Sequence, residues 1–425
     1  MVLSTSDGQV VATLDTPSSV SHATGIVEST SSDHDSFFRL VVYGSGKTKF
    51  LGLVEDVYFP AGKTRRRLTI RNLLALRENA KPVYVRNAPD IGTEVRFASD
   101  TDLDTFFPRD KFPLKGYLGF LRETRYPLPF DLDDLCFANT AILAGIKHGK
   151  SHLAALLSSQ LHLTGKKVLV IDPTGEWPQL IASTAEMLKK NAKLDLSVSS
   201  HVVEKPELGL DPTLQDEVFQ YPEWWKGMWE ALKRSDLAIL DVSFATSNAK
   251  VEEKLRGRCS IAYRIQQELM RFALRTYGKT KKSYGCPTCI VLEECHQFVP
   301  PKALANRHQE LVRNLFSMSS KEYRKYGSGH VFIDQSLGAI SEDLQIQTFL
   351  LGATTTPSDI YSLETRLGRD VSIAAQRTIG GTERRSWVAY GVSTPMVGIP
   401  WEIETFKPDE LSMLGSSLVA SKEQT

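Results

Sequence analysis

The sequence predicts an α/β protein in two parts, a small β-barrel followed by a larger parallel sheet. Two observations predict this fold. Residues 1–115 contain short apolar or alternating runs separated by Gly, Ser, Asp and Pro, and from Asp131 onward short apolar runs alternate with helical stretches. Short strands with turn residues between them are typical of a small barrel or sandwich. Strands separated by helices indicate a parallel sheet.

The amino-terminal domain is expected to span residues 1–115 as a small β-barrel. The stretch from Gly116 to Pro129 has no clear period, and we interpret it as a connector. The predicted strands of the barrel are Gln9–Leu14, Phe37–Tyr43, Phe50–Tyr58 and Pro82–Arg86.

The second domain is expected to span residues 116–405, with a helical insertion at about 177–236 and a frayed tail at 406–425. The insertion carries many charges and a group of tryptophans, which we interpret as a local core, with a partner surface as the alternative. Six strands are predicted, and four of them are nearly all apolar, as expected of parallel strands buried on both faces. The six are Thr140–Leu143, Lys167–Ile171, Leu237–Leu240, Cys289–Leu292, His330–Ile333 and Thr348–Leu351.

Composition argues against several classes of protein. The formal net charge is +1, so bulk charge does not indicate nucleic-acid binding, and any contact with DNA must use local patches. No apolar run approaches the roughly 18 residues of a membrane span. The first residues lack the basic start and apolar segment of a secretion signal, and five cysteines do not make a disulfide framework. We expect a cytoplasmic protein.

Two basic clusters are candidates for such local patches. One contains Lys63 and residues 65–67, and the other contains Lys279, Lys281 and Lys282. Each is either solvated surface or a contact to DNA phosphates. Since no helix-turn-helix, zinc finger or aromatic RNA-binding pattern is visible, we expect contacts to the DNA backbone rather than reading of base sequence.

Residues 149–151 read Gly-Lys-Ser and lie where a phosphate-binding loop is expected, after an apolar strand and before a helix-like run. This arrangement points backbone N–H groups and the positive end of a helix dipole at a phosphate. The usual pattern is G-x-x-x-x-G-K-[ST], but Ala144 replaces the first Gly, and we expect Gly145 to supply the bend. The candidate nucleotide-binding residues are Gly145, Lys147, His148, Gly149, Lys150, Ser151 and His152.

A second Gly-Lys-Thr tripeptide lies at residues 46–48 and has more glycine around it. The residues that follow, Lys49–Val54, have the composition of a strand, so no helix begins there to hold a phosphate. We therefore interpret Gly44–Gly46 as a hairpin turn between two strands.

An apolar strand, Cys289–Leu292, ends in two carboxylates, Glu293 and Glu294. A P-loop ATPase needs an acid at this place to hold Mg²⁺, and an adjacent acid orients and deprotonates the attacking water. We assign the metal role to Glu293, together with the hydroxyl of Ser151, and the base role to Glu294. Paired with the loop at 149–151, the acidic strand end predicts ATP hydrolysis.

These segments together resemble the HerA branch of the HerA/FtsK ATPases. The resemblance is carried by Asn139–Trp177 with its V-I-D-P-x-G-E-like run, by Leu292–His296, by Arg324–Gly327 and by Gln335. It implies a RecA-like P-loop ATPase core with an N-terminal small β-barrel of the kind shared with ATP synthase subunits.

The resemblance implies a homohexameric ring that hydrolyses ATP with Mg²⁺ and translocates double-stranded DNA. Members often act with a nuclease such as NurA, in DNA end processing or in defence against phage. Mapped onto this chain, Lys150 and Ser151 bind nucleotide and Mg²⁺, and Gln335 senses the γ-phosphate. An arginine from the next subunit stabilises charge in the transition state, and Arg324 and Arg366 are the two candidates.

The chain also departs from the family pattern. Besides Ala144, Cys295 and Asp334 occupy positions where relatives have other small residues, and residues 352–354 read Gly-Ala-Thr where relatives often carry an arginine. An alternative function therefore stays open, a nucleotide-binding hexameric scaffold that assembles an effector with little translocation. A small-molecule P-loop kinase is a weaker third option, because no acceptor site is visible.

Overall fold

The computed structural model divides the chain into two compact units, Met1–Lys111 with Arg122–Tyr126, and Phe112–Leu121 with Pro127–Thr425. Each unit is described by itself. The residues that the structure describes are 10–15, 19, 21–27, 39–45, 47–58, 66–77, 83–107, 115–122, 124–206, 222–234, 236–281, 287–353, 356–378 and 385–415.

Strands dominate the first unit. Its elements are β1 (Val10–Leu14), β2 (His22–Val27), β3 (Leu40–Ser45), β4 (Thr48–Tyr58), β5 (Arg67–Arg77), β6 (Val83–Tyr84), β7 (Glu94–Phe97) and α1 (Asp100–Phe106). Strand β2 pairs with both β1 and β5, so the strands close in the order β2-β1-β7-β3-β4-β5, and β6 adds to β5. Alternate residues such as Leu14, Val41 and Ile70 form the buried core. The predicted small β-barrel is confirmed.

The sequence pattern misses strands β2, β5 and β7. The β4–β5 pairing contains register shifts between Leu51 and Gly52 and between Val54 and Asp56. A β-bulge of this kind breaks the strict alternation of apolar and polar residues. The long β5 therefore does not show the period on which a strand prediction depends.

The residues on both sides of Gly46 form a hairpin, as predicted, and Gly46 itself lies outside the described residues. Strands β3 and β4 pair antiparallel, and Ser45 lies opposite Thr48. Because β4 begins at Thr48, no helix amino terminus follows the glycines. This segment therefore offers no phosphate-binding geometry.

The second unit is built around a mixed sheet of eleven described strands. The strands are β8 (Lys115–Leu121), β9 (Pro127–Asp131), β10 (Thr140–Leu143), β11 (Lys167–Asp172), β12 (Val198–Val202), β13 (Leu237–Asp241), β14 (Thr288–Leu292), β15 (Ser328–Asp334), β16 (Thr348–Leu351), β17 (Ser386–Gly391) and β18 (Trp401–Thr405). The α-helices are α2 (Leu132–Phe137), α3 (Lys150–Leu163), α4 (Trp177–Ala192), α5 (Glu223–Arg234), α6 (Val251–Thr280), α7 (Arg307–Met318), α8 (Pro357–Leu367) and α9 (Arg369–Arg377).

The strand order is β12-β13-β11-β14-β15-β10-β16-β17-β18-β8-β9, and the first seven strands are parallel. All six strands predicted from apolar runs are present among them. These six strands are buried along their whole length, apart from the first residue of β11 and the last residue of β13. Apolar side chains on both faces are stable here because helices cover parallel strands. The predicted α/β class is confirmed.

The predicted connector between residues 116 and 129 is wrong. Strands β8 and β9 form an antiparallel pair there, and β8 joins the sheet through β18. Pro127 and Pro129 fall within β9, which is the edge strand of the order above. Proline is tolerated at an edge because its missing N–H faces no neighbouring strand. In the sequence the same prolines suggest a break, which explains the error.

The segment at 177–236 is not purely helical. It contains α4 and α5, but β12 lies between them and extends the parallel sheet beside β13. Trp225 is buried, and Trp224 and Trp229 pack against the same core, which supports a local core for the tryptophans. Residues 207–221 lie outside the described part of the chain.

The expected frayed tail is wrong for its first residues. Pro408–Leu411 form a 3₁₀ turn, and Leu411 and Leu414 are buried. Residues 416–425 of the tail, and Lys63, Arg65 and Lys282 of the two basic clusters, lie outside the described residues. Among the helices that the structure describes, none combines the length and the apolar character needed to cross a membrane.

Candidate functional site

The sequence-predicted site residues lie mainly at one edge of the large sheet. Strands β10, β11, β14 and β15 are parallel, so the loops that follow them leave from the same side. The register places Leu143 opposite Asp334 and Ile171 opposite Leu292. The phosphate-binding loop and the acidic pair after Leu292 are thereby brought together, as expected of sites at the carboxyl ends of parallel strands.

The loop at 144–149 connects β10 directly to α3. The helix begins after Gly149, which has a left-handed φ of 88°. Lys147 also has a positive φ, 63°. The first backbone N–H groups of α3 have no partner within the helix. Together with the helix dipole they form an anion-binding position at the amino end of α3.

Ala144 fits this loop without strain. It is fully buried, and it is absent from the residues with a positive φ, so glycine is not required there. Gly145 also lacks a positive φ, and a Cβ on it would meet only the Ala353 carbonyl at an ordinary 3.5 Å. The expectation that Gly145 supplies the bend is therefore wrong, because the left-handed positions are Lys147 and Gly149.

The Lys150 side chain folds back over the loop. Its Nζ donates a hydrogen bond of 3.0 Å to the Ala144 carbonyl, and the residue is only 8% exposed. A buried ammonium is costly unless it is paired with an acceptor or an anion. The charge of Lys150 therefore favours an anion at the loop, in the place where the resemblance puts a phosphate.

Glu293 links the acidic strand end to the phosphate-binding loop. Ser151 Oγ donates to Glu293 Oε1 at 3.3 Å, and Trp177 Nε1 donates to Glu293 Oε2 at 3.0 Å. Burial raises the pKa of Glu293 to about 7, and the charges of Glu294 and Asp172 also raise it. The two hydrogen bonds lower the pKa but do not offset the effect of burial. A hydroxyl and a carboxylate of this kind are the oxygen ligands that Mg²⁺ prefers.

Glu294 lies beside a small polar cluster. Its backbone has a left-handed φ of 46°, an unfavourable conformation for a residue with a side chain. His296 Nδ1 is 3.4 Å from Glu294 Oε2 and 3.1 Å from Asp334 Oδ2. The hydrogen bond to Asp334 raises the pKa of His296, and the imidazole lies within contact of both carboxylates, where it directs the Glu294 side chain.

Residues that the sequence analysis did not single out hold the site together. Asp172 Oδ1 accepts from the N–H groups of Thr174 and Gly175, and its Oδ2 accepts from the N–H of Trp177. This carboxylate fixes the turn that presents the Trp177 indole to Glu293. The signal was available, because an acid at the end of an apolar strand before a Pro-x-Gly turn is a typical turn-forming residue.

Arg258 joins several loops of this edge. From helix α6 its guanidinium donates to the carbonyls of Val242, Pro173 and Ser243 at 2.9, 3.1 and 3.0 Å, and to Gln297 Oε1 at 2.7 Å. Burial lowers the pKa of Arg258. Five donors in a fixed plane suit this task. Nothing in the sequence distinguishes it from the other arginines of the long charged helix.

The remaining predicted nucleotide-binding residues differ in burial and in what their side chains contact. Lys147 and His152 are exposed on the outside of the loop and helix. His148 is buried with 9% exposure, and its Nε2 is 3.0 Å from the Ser386 carbonyl oxygen. The imidazole therefore contacts strand β17 rather than a phosphate position at the amino end of α3.

The predicted sensor and arginine residues lie at different places. Gln335 is exposed at the carboxyl end of β15, next to the site, and its role stays a prediction. Arg324 donates to Gln347 Oε1 at 2.7 Å and to Asp134 Oδ1 at 3.3 Å. Both partners precede their strands, so Arg324 is at the amino edge of the sheet and far from the phosphate-binding loop of its own chain.

Arg366, the other candidate for a trans-acting arginine, is half-buried in α8. Its guanidinium donates to the Leu337 carbonyl at 3.0 Å. Leu337 follows β15 on the side of the sheet that carries the site. The trans-acting roles of Arg324 and Arg366 stay predictions.

Comparison with known proteins identifies one family. Residues 116–285 match the family described as the central domain of the helicase HerA. This range contains the phosphate-binding loop, the turn at Asp172 and the Arg258 cluster, and it ends just before the acidic strand. No curated protein sequence matches the chain.

Solved structures give more distant likenesses. The genome packaging NTPase B204 from Sulfolobus turreted icosahedral virus 2 with ATP-γS is 10% identical over 65% of this chain and 100% of its own, with a TM-score of 0.34. VirB4 of Thermoanaerobacter pseudethanolicus is 14% identical over 68% of this chain and 96% of its own, with a TM-score of 0.40. The pCW3 conjugation coupling protein TcpA is 10% identical over 88% and 92%, with a TM-score of 0.41.

Proposed function

We propose that this chain is an ATP-hydrolysing, ring-forming translocase of double-stranded DNA, because residues 116–285 match the family described as the central domain of the helicase HerA. The observation that carries the ATPase part is the contact between Ser151 Oγ and Glu293 Oε1 at 3.3 Å. It joins the loop that suits a triphosphate to the acid that suits a divalent cation. Two separate sequence signals thus meet in one hydrolytic site.

The donor set fits Mg²⁺. Ser151 and Glu293 would hold the ion, and Mg²⁺ bound to a nucleotide neutralises phosphate charge and orients the phosphoryl group. The buried carboxyl of Glu293 has a pKa of about 7, so it exchanges a proton near neutral pH. An adjacent cation favours the ionised form of such a group. Nucleotide binding with Mg²⁺ is therefore expected to release protons.

Lys150 and the amino end of α3 bind the phosphates of ATP in this proposal. Lys150 exchanges the Ala144 carbonyl for the phosphate oxygens, which are stronger acceptors because they are charged. Glu294 takes a proton from the attacking water. Its side chain is directed by His296, and His296 is held in turn by Asp334. Gln335 contacts the γ-phosphate from the end of β15.

The DNA and ring parts of the proposal rest on the family. A HerA-type domain supports ATP-driven movement on duplex DNA by backbone contacts. A homohexamer would let Arg324 or Arg366 of one subunit reach the site of the next. A nuclease of the NurA type, and a role in DNA end processing or phage defence, are proposed on the same basis.

ATPase turnover with and without duplex DNA tests the proposal. We expect stimulation by DNA in the wild type and loss of turnover in Lys150→Ala and Glu294→Gln, with Gly278→Ala as a control on an open face of α6. A wild type that neither hydrolyses ATP nor responds to DNA would refute it. The particle mass with ATP and Mg²⁺ measures ring formation. A ring that needs nucleotide but hydrolyses almost none would favour the scaffold.

A further inference from the structure

Two residues of the phosphate-binding loop, Ala144 and His148, pack closely against Gly352. We call these three residues the loop interlock. His148 belongs to the loop, and Gly352 directly follows β16. The imidazole Nε2 is 3.0 Å from the Ser386 carbonyl oxygen and 3.2 Å from the Ala353 backbone N. The ring also packs edge-on against Trp387, with centroids 5.1 Å apart. The loop is thus fixed to both β16 and β17.

Gly352 is required by space rather than by backbone conformation. A Cβ on Gly352 would lie 2.3 Å from His148 Cδ2 and 2.6 Å from the Ala144 Cβ, which real atoms do not tolerate. Its φ is not in the left-handed region, so backbone conformation does not require glycine there. The missing side chain at 352 therefore makes room for both the imidazole and the methyl group of Ala144.

Backbone hydrogen bonds reinforce the same contact. The Gly352 N–H donates to the Leu143 carbonyl at 2.7 Å, and the Gly145 N–H donates to the Ala353 carbonyl at 3.1 Å. The two residues that follow β16 are thereby hydrogen-bonded to the end of β10 and to the start of the loop. A neutral imidazole has one N–H, so Nε2 either donates to Ser386 or accepts from Ala353. Either tautomer anchors the loop to the sheet.

We propose that the loop interlock is a positioning device that pre-organises this phosphate-binding loop for a nucleoside triphosphate. The loop contains a left-handed lysine, Lys147, and in a residue other than glycine such a conformation persists only where the surroundings hold it. In this chain the His148 side chain anchors the loop to the sheet. The absence of a side chain at Gly352 leaves space for the methyl group of Ala144. The inference rests on the proposed function, because it presumes that the loop binds ATP.

The first test is nucleotide affinity in His148→Ala. Without the anchor, binding must also order the loop, and ordering costs affinity. We expect the Kd for ATP-γS with Mg²⁺ to rise about tenfold, and KM for ATP to rise with it while kcat at saturation changes less than twofold. His148→Gln, whose amide N–H reaches as far as Nε2, should recover most of the affinity. His22→Ala, in the first unit, is the matched control.

A purely structural role of His148 gives a different result. In that case His148→Ala lowers the melting temperature, yet the folded variant binds ATP-γS as the wild type does. That outcome would overturn the proposal, as would a loss of affinity that His148→Gln does not recover. If the wild type itself does not bind ATP-γS, the proposed function fails instead, so the two failures are distinguishable.

The second test uses the space at Gly352. We expect Gly352→Ala to weaken ATP-γS binding at least tenfold, because the new methyl group displaces His148 and Ala144. The triple variant Ala144→Gly, His148→Ala, Gly352→Ala has neither clash, so its loss in binding free energy should be smaller than the sum of the losses in the three single variants. Gly278→Ala, which meets no atom within 4 Å, controls for the added methyl group. Additive losses in the triple variant would contradict the interlock.

Discussion

The hydroxyl of Ser151 and the carboxylate of Glu293 are 3.3 Å apart, although 142 residues separate them in the chain. Strand β15 lies between β10 and β14 in the sheet, so the two side chains approach each other across the end of a strand to which neither belongs. The contact unites a helix amino terminus with a buried acid.

Glu293 is expected to destabilise the nucleotide-free protein at neutral pH. Its folded pKa of about 7 is above its unfolded value of 4.5. The folded state therefore binds the extra proton, and stability from this group falls as pH rises from 4.5 to about 7. The loss reaches about 3 kcal/mol at most. Glu293→Gln should thus be more stable than the wild type at pH 8 and similar to it at pH 4.5.

Urea unfolding of both proteins across this pH range measures the difference. Glu364→Gln, an exposed carboxylate on α8, is the control and should show no such trend. A stability difference between Glu293→Gln and the wild type that does not change with pH would contradict the assignment.

Trp177→Phe is expected to shift the acidic limb of the ATPase pH profile to higher pH. The indole N–H donates to Glu293 Oε2 at 3.0 Å and lowers the pKa of that carboxyl. Without the donor, Glu293 stays protonated to a higher pH, so ATPase activity, which needs the ionised carboxylate, sets in at a higher pH. Turnover at pH 6.5 should fall more than turnover at pH 8.5. Trp229→Phe, in α5, should leave the profile in place, and an equal loss at both pH values in Trp177→Phe would refute the mechanism.

Arg258→Lys is expected to lower both stability and turnover. The guanidinium satisfies three backbone carbonyls and Gln297 Oε1, and a lysine reaches fewer of them at once. Leaving buried carbonyls unsatisfied costs about 2–4 kcal/mol in the free energy of unfolding. Chemical denaturation measures this cost. Arg271→Lys, half exposed on the same helix, is the control, and a cost no larger than in that variant would show that Arg258 does not join these loops.

His330 is expected to weaken the protein in acid. It is fully buried on β15, and burial lowers its pKa to about 3 from 6.5. The folded state keeps the neutral ring, so its contribution is complete above pH 6.5 and is lost as pH falls toward 3. The loss amounts to several kcal/mol. In His330→Gln the slope of unfolding free energy against pH below 6.5 should be smaller, and an unchanged slope would exclude His330 as the cause.

Much of the fold was predictable because its signals are local. Buried parallel strands read as apolar runs, and the hairpin at Ser45 and Thr48 was predicted from the strand that follows it. The errors have local causes as well. Prolines in β9 mimic a break, and bulges between β4 and β5 hide the period of a long strand. Edge strands and bulged strands depend on neighbours that a local pattern does not contain.

The sequence by itself determined which chemical groups are present and where each strand ends. Gly149-Lys150-Ser151 and Glu293-Glu294 are recognisable because a strand, a loop and a helix must follow one another along the chain. Only the tertiary structure decided what these groups touch. In the folded protein His148 contacts strand β17 rather than the phosphate position, and Arg324 lies at the opposite edge of the sheet. The absence of a side chain at Gly352 leaves space for Ala144. Packing between distant segments sets these contacts, and no local pattern encodes it.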